Sequence, residues 1–151
     1  MPKHKKDTQV LIVEDNLAEA ELLMYCLKQK GLNKGVVHFD QSEEALDWLF
    51  AREGFEDRKG IAYPRLIVLD INMPRISGLE MLTTIRNNPD TSTIPIVILT
   101  SSTEARDIDV AYAQGVNAYI AKPIDYNKFS TVVEQMGIFW KNINIPPRDS
   151  Q

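Results

Sequence analysis

The sequence of 151 residues contains a single cysteine, Cys26, and this scarcity limits its chemistry. One cysteine cannot form an intrachain disulfide, and it cannot supply a cluster of thiolate ligands for a metal. Because Cys26 lies within an amphipathic helical pattern, we expect it to be a small, buried apolar residue. The sequence therefore predicts neither a disulfide-stabilised fold nor a thiolate metal centre.

Long hydrophobic runs are also missing from the sequence. No apolar run approaches the ~20 residues that cross a bilayer, and the N-terminus lacks the hydrophobic segment of a signal peptide. We therefore expect no membrane partner and a cytoplasmic location. The net charge of −4 gives no general reason to expect nucleic-acid binding, and the basic start at residues 2–6 is typical of a solvated tail.

Short apolar runs alternate five times with longer segments of helical periodicity. The runs are rich in β-branched residues and nearly continuous in apolarity, as strands covered on both faces are. This alternation predicts one α/β domain with a parallel sheet between two layers of helices. His38 interrupts the second run, and we interpret it as a sheet-edge or packed residue. The predicted strands are residues 8–13, 35–39, 65–70, 95–100 and 117–121.

Two polar segments do not fit the alternation. Residues 52–64 form a long connection before the third strand, and residues 142–151 form a proline-containing tail. Neither is long enough to hold a second domain. We therefore divide the chain into a basic tail (1–7), one domain (8–140) and a C-terminal extension (141–151), without assigning a role to the connection or the extension.

Polar side chains lie at the carboxyl ends of four of the predicted strands. In an open parallel sheet, ligands bind beyond these ends, where the strand order reverses. Three carboxylates, one hydroxyl and one ammonium should therefore converge on one edge of the sheet. They belong to Glu14 and Asp15 after the first strand, Asp70 at the end of the third, Thr100 at the end of the fourth and Lys122 after the fifth.

The three acidic residues of this group, Glu14, Asp15 and Asp70, favour a bound cation. Crowded carboxylates repel one another unless a positive charge neutralises them. Oxygen ligands without histidine or cysteine suit Mg²⁺, which retains several waters. Lys122 precedes Pro123, and a cis bond between them would turn the lysine toward the carboxylates. The sequence therefore predicts a magnesium site with a lysine beside it.

The strand ends resemble the signature of the two-component response-regulator receiver domain. The motifs are "VEDN", "LDINMPRISG", "ILTSS" and "YIAKP", and the similarity covers residues 8–140. The resemblance implies a flavodoxin-like (βα)5 fold, a doubly wound parallel five-stranded sheet in the order 2-1-3-4-5. The connection at 52–64 and the ending "FWKNINIPP" are similar to the stand-alone receivers that serve bacterial phytochrome histidine kinases.

The resemblance also implies a role for each residue of the group. Asp70 would be the phosphoacceptor, and Thr100 and Lys122 would complete the catalytic set. Thr100 and Tyr119 would form the switch. The magnesium ion would be held by Asp15, Asp70 and the backbone carbonyl of Asn72, with Glu14 acting through a bound water.

The expected function is that of a single-domain response regulator, a phosphoprotein and not an enzyme. Phosphorylation would change the surface of the fourth helix, fifth strand and fifth helix, and polar Asn72 and Ser102 suggest self-dephosphorylation.

The expected partners are a sensor histidine kinase, with a phytochrome as candidate, and a histidine phosphotransfer protein. A homodimer would form through that surface or the C-terminal extension. Phe139, Trp140 and Ile145 either supply its apolar contacts or cap the domain's own core.

Three other interpretations fit the sequence less well. A phosphatase of the haloacid-dehalogenase type has two aspartates two residues apart at the first strand, whereas Asp70 ends the third strand and is followed by Asn72. A flavin or nucleotide carrier needs a phosphate-binding loop after the first strand, and here that loop is the acidic "EDNLAEAE". A pseudo-receiver, which would bind proteins without being phosphorylated, remains the alternative.

Overall fold

A computed structural model describes residues 8–148 of the protein. The predicted basic tail, residues 1–7, and the last three residues of the predicted extension lie outside the described residues. Each strand of the structure lies within a run that the sequence predicts as a strand. The strands are β1 (Val10–Val13), β2 (Val36–Phe39), β3 (Leu66–Leu69), β4 (Ile96–Thr100) and β5 (Ala118–Ala121).

All the strand pairs are parallel, and the sheet order is β2-β1-β3-β4-β5. This order confirms the predicted fold class. The chain reverses its direction of winding between β1 and β3, so the carboxyl ends of these two strands flank the crevice of the fold. His38 lies on the edge strand β2, as expected, and its Nε2 lies 2.8 Å from the backbone carbonyl of Glu14.

The helices cover both faces of the sheet. Three of them begin with a side-chain cap, in which Asn16, Ser77 or Asp125 accepts a hydrogen bond from a backbone N–H of the first turn. None of the helices in residues 8–148 combines the length and the apolarity that a membrane crossing requires. The helices are α1 (Leu17–Gln29), α2 (Ser42–Leu49), α3 (Gly78–Asn87), α4 (Ala105–Ala113) and α5 (Tyr126–Ile138).

The core consists of two layers, one on each face of the sheet. Alternate residues of a strand point to opposite faces, so Leu11 packs in one layer and Ile12 in the other. The first layer contains side chains of α2, α3 and α4, and the second contains side chains of α1 and α5. Cys26 is buried in the second layer as a free thiol, which confirms the prediction for it.

The connection at 52–64 contains a short 3₁₀ helix, Glu56–Arg58, that packs against α2. Arg58 is buried, its guanidinium lies 3.5 Å from the centre of the Trp48 ring, and its Nε donates to the Trp48 carbonyl at 2.8 Å. Phe55 packs edge-on against Phe39. The connection is therefore held by cation–π and aromatic contacts on the side of the domain that β2 borders.

The C-terminal extension lies at the amino ends of the strands, opposite the predicted site. Helix α5 continues into a π-helical turn, Phe139–Ile143. Lys141 Nζ donates to the carbonyls of Leu32 and Lys34 at 2.6 and 2.7 Å, and Arg65 donates to the Asn144 carbonyl at 2.8 Å. Trp140 packs against the second core layer, whereas Phe139 and Ile145 are exposed. Residues 139–145 thus both cap the core and expose apolar side chains.

Candidate functional site

The carboxyl ends of the strands bring Glu14, Asp15, Asp70 and Lys122 into one group. Asp70 follows β3 directly, and its N–H donates to the Val13 carbonyl at the end of β1. Lys122 Nζ donates to Asp70 Oδ2 at 2.8 Å and also to Glu14 Oε1. Glu14 and Asp70 are buried, so this lysine is the cation that faces them inside the crevice.

The acidic group has the donor set that a divalent cation requires. One carboxylate oxygen each from Glu14, Asp15 and Asp70 lies within 4.8 Å of the others. Burial raises the pKa of Glu14 to about 7, even though the hydrogen bond from Lys122 acts to lower it. A raised pKa means that this carboxylate lacks full compensation for its charge. Three converging oxygens and an incompletely neutralised carboxylate fit a hard cation such as Mg²⁺.

Asp70 has a different electrostatic environment from Glu14. Burial acts to raise its pKa, but the hydrogen bond and the charge of Lys122, with hydrogen bonds from Thr100 and the Asn72 N–H, hold that pKa below its ordinary value. The Asn72 N–H lies 3.2 Å from Asp70 Oδ1. For Lys122, burial acts to lower the pKa, but the bonds to Asp70, Glu14 and Glu19 raise it. Asp70 is therefore a buried and ionised carboxylate, which is the form that a nucleophile needs.

Lys122 reaches the carboxylates through a trans peptide bond. The described residues contain no cis peptide bond, so the cis Lys122–Pro123 bond that the sequence allows is absent. The Lys122 N–H donates to the Thr100 carbonyl at 2.7 Å. This bond extends the pairing of β4 and β5 by one residue, and the side chain then turns into the crevice.

Thr100 and Tyr119 are linked through the loop that follows β4. Thr100 is fully buried, and its Oγ1 accepts a hydrogen bond from the Ser102 N–H at 3.3 Å. The Tyr119 hydroxyl donates to the Ser102 carbonyl at 2.9 Å. The Ser102 hydroxyl donates to Asp107 of α4 at 2.6 Å. A continuous set of hydrogen bonds therefore connects the end of β4 with β5 and with α4.

Gly78 is a position where the close approach of backbone fixes the residue type. A Cβ at this position would lie 2.0 Å from the Asp70 carbonyl oxygen, a distance that no side chain tolerates. The close approach is held by the Gly78 N–H, which donates to the Ile71 carbonyl at 3.0 Å. Gly78 therefore allows α3 to begin directly against the loop that carries Asp70.

Sequence reasoning missed Glu19, whose Oε2 lies 2.8 Å from Lys122 Nζ. Glu19 lies in the first turn of α1, four residues after Asp15, with its N–H bound to the Asn16 cap. An acidic residue in a first turn ordinarily interacts with the helix dipole. Its short distance in sequence from the acidic pair was the available signal for a place in this site.

Comparison with known proteins agrees with this geometry. The profile of the family described as "Response regulator receiver domain" matches residues 10–134. The chain belongs to the response-regulator receiver family. It is 33% identical over 138 residues to the "Probable methanogenesis regulatory protein FilR2" of Methanothrix harundinacea, covering 91% of this chain and 86% of that protein. It is 30% identical to the response regulator Rcp1 of Synechocystis sp., covering 91% and 92%.

Solved receiver structures are also similar to this one. The phosphorylated cyanobacterial phytochrome response regulator RcpA has a TM-score of 0.85 at 29% identity, covering 93% of this chain and 99% of that chain. The Mn²⁺-bound form of Rcp1 has a TM-score of 0.84 at 29% identity, with the same coverage. The receiver family and the similarity to phytochrome response regulators, both predicted from the sequence, are confirmed.

Proposed function

We propose that the protein is a single-domain response regulator that accepts a phosphoryl group on Asp70 from a sensor histidine kinase. An oxygen of Asp70 attacks the phosphorus of a phosphohistidine, and the P–N bond breaks. Its electron pair stays on the histidine nitrogen, and Asp70 becomes an acyl phosphate. The observation that carries this proposal is the ionised Asp70 carboxylate, buried in the crevice and paired with Lys122 at 2.8 Å.

The proposal includes a magnesium site in the acidic group. Asp15, Asp70 and the backbone carbonyl of Asn72 would hold the ion, with Glu14 acting through a water. Bound there, Mg²⁺ supplies positive charge that neutralises the phosphoryl oxygens. The support for this site is the convergence of three carboxylate oxygens within 4.8 Å and the similarity to Rcp1, which binds Mn²⁺ in a solved structure.

Within the protein, Lys122 and Thr100 would stabilise the phosphoryl group. Lys122 contributes a point charge beside Asp70, and the Thr100 hydroxyl donates to a phosphoryl oxygen. A hydrogen bond to a charged group is worth about 1.5–3 kcal/mol, which shifts a two-state equilibrium by tenfold or more. Because Thr100, Ser102 and Tyr119 are connected by hydrogen bonds, a change at Thr100 would reach α4 and β5. The conformation of the surface formed by α4, β5 and α5 would then depend on phosphorylation.

The protein would act as a phosphoacceptor and not as an enzyme, with hydrolysis of its own acyl phosphate as the one reaction it assists. Asn72 and Ser102 would position the hydrolytic water. The Asn72 N–H contacts Asp70, and Ser102 lies two residues beyond Thr100. Asn72 therefore lies directly beside the acceptor, and Ser102 lies in the loop after β4 that contacts Thr100.

The proposed partners follow from the relatives and from the exposed surface. Similarity to Rcp1 and RcpA supports a phytochrome as the kinase, and a histidine phosphotransfer protein would receive the phosphoryl group.

We place the protein in the cytoplasm and divide it into a tail (1–7), the receiver domain (8–140) and an extension (141–151). Exposed Tyr112, Phe139 and Ile145 support a homodimer through the α4–β5–α5 surface or the extension.

Intact-mass measurement tests the proposed function. The protein and its Asp70→Asn variant are incubated with Mg²⁺ and acetyl phosphate, a small phosphoryl donor. A gain of one phosphoryl group by the first and none by the second would support Asp70 as the acceptor. If neither gains mass, binding of beryllofluoride, a mimic of the phosphoryl group, distinguishes two cases. A site that accepts only from its kinase binds beryllofluoride, whereas a pseudo-receiver does not.

A further inference from the structure

All three N–H donors of Lys122 are used in the structure, each by a different carboxylate. Nζ contacts Asp70 Oδ2 and Glu19 Oε2 at 2.8 Å each, and it also contacts Glu14 Oε1. An ammonium group has three donors and no more. Lys122 therefore has no free donor for a phosphoryl oxygen, and an existing contact must be exchanged when one arrives.

The three partners of Lys122 differ in how easily they release it. The side chains of Glu14 and Asp70 are 5% and 7% exposed, whereas that of Glu19 is 44% exposed. A buried carboxylate that loses its partner stays unpaired in a medium of low polarity, which is costly. An exposed carboxylate is hydrated instead, so breaking its ion pair costs little. Glu19 is the contact that the site can exchange.

The backbone of Glu19 allows this exchange without unfolding of the helix. Its N–H is bound to the Asn16 side chain at 3.0 Å, which fixes the first turn of α1. Only the side chain needs to rotate toward solvent. Until it does, its carboxylate occupies the Lys122 donor that a phosphoryl oxygen would otherwise accept from.

We propose that Glu19 is a positioning residue that restrains Lys122 in the resting site and releases it to the phosphoryl group. Since Lys122 meets a phosphoryl group only if Asp70 is the acceptor, this role rests on the proposed function. It predicts that removal of the Glu19 charge makes the site more receptive to a phosphoryl group, although one ion pair is lost.

Beryllofluoride binding at saturating Mg²⁺, measured by calorimetry, tests this role without any kinase. We expect Glu19→Gln to lower the Kd at least threefold. Glu21→Gln is the matched control, because Glu21 is an exposed acid of the same helix two residues further on, and we expect its Kd to equal that of the unmodified protein. Circular dichroism verifies folding of each variant, and Glu19→Ala replaces Glu19→Gln if the latter does not fold.

A double-mutant cycle shows whether Glu19 acts through Lys122. In a Lys122→Ala background, Glu19→Gln should leave the Kd unchanged, because the restrained group is gone. Tightening that persists in this background would overturn the role, since it would reflect bare charge repulsion. Equal or weaker binding by Glu19→Gln alone would also overturn it, while the proposed function would stand. Failure of the unmodified protein to bind beryllofluoride would overturn both.

Discussion

The hydroxyl of Tyr119 donates a hydrogen bond to the backbone carbonyl of Ser102 at 2.9 Å. This bond joins β5 to the loop after β4, the same loop whose Ser102 N–H contacts Thr100 Oγ1. Burial is the main cause of the raised pKa of Tyr119, which keeps the hydroxyl protonated as a donor. The aromatic ring is therefore attached to the loop that the phosphoryl group would move.

Tyr119→Phe should weaken this attachment. Loss of one hydrogen bond to a neutral acceptor costs about 0.5–1.5 kcal/mol of unfolding free energy, which urea denaturation measures. Tyr112→Phe is the control, because Tyr112 is an exposed tyrosine of the adjacent α4 and should lose almost nothing. Equal losses of unfolding free energy in the two variants would mean that the hydrogen bond to Ser102 does not stabilise the protein.

Lys122→Met should destabilise the protein most strongly when no divalent cation is present. The change leaves Glu14 and Asp70 buried beside one another without the ammonium. Breaking a buried ion pair costs about 3–5 kcal/mol, and we expect the lower end because Glu14 can take up a proton. Mg²⁺ should restore part of the loss.

The measurement for Lys122→Met is urea denaturation with a chelator and then with Mg²⁺. Lys128→Met serves as the control, since Lys128 is an exposed lysine of α5. A loss in Lys122→Met no greater than that in Lys128→Met would contradict the role of Lys122 as the internal counter-charge.

Magnesium should raise the stability of the unmodified protein with the logarithm of its concentration relative to its Kd. A ligand that binds only the folded state adds about 2.7 kcal/mol at 100 times its Kd. Asp15→Asn should abolish the shift in Tm on addition of Mg²⁺, because it removes one of the three converging oxygens. Asp109→Asn, which changes an exposed aspartate of α4, should retain the full shift. A shift that survives in Asp15→Asn would place the ion elsewhere.

The strands and the location of the site could be predicted from the sequence because both follow from simple periodicity. Strands covered on both faces are continuously apolar, so the five runs contain the five strands. A polar residue at the carboxyl end of such a run must lie at the carboxyl-end side of the sheet, which predicts the location of Asp70 and Thr100. The strand order depended on the family motifs, since the runs alone do not say which strands are neighbours.

Contacts that depend on side-chain direction could not be predicted in this way. The three partners of Lys122 depend on the direction that its side chain takes after β5. Glu19 and Lys122 are far apart in sequence, and no local pattern reports that they meet. The contacts of Lys141 with the carbonyls of Leu32 and Lys34 are equally distant in sequence. Sequence periodicity describes elements, whereas these contacts arise from packing between them.

Gly78→Ala should disturb the acceptor loop more than its small size suggests. The added Cβ would lie 2.0 Å from the Asp70 carbonyl oxygen, which is backbone and cannot rotate away. Overpacking of this kind costs about 1–3 kcal/mol, and relief of the clash must displace Asp70. We therefore expect both a lower unfolding free energy and weaker beryllofluoride binding.

Gly137→Ala is the matched control for Gly78→Ala. Its Cβ would meet the end of the Leu32 side chain at 2.8 Å, and a leucine side chain can shift. Alanine is favoured over glycine in a helix by about 0.8–1.0 kcal/mol, which offsets the shift in this α5 position. Urea denaturation and beryllofluoride titration of the two variants should therefore diverge. If Gly78→Ala instead matches Gly137→Ala in both, the close approach of α3 to Asp70 does not position the acceptor.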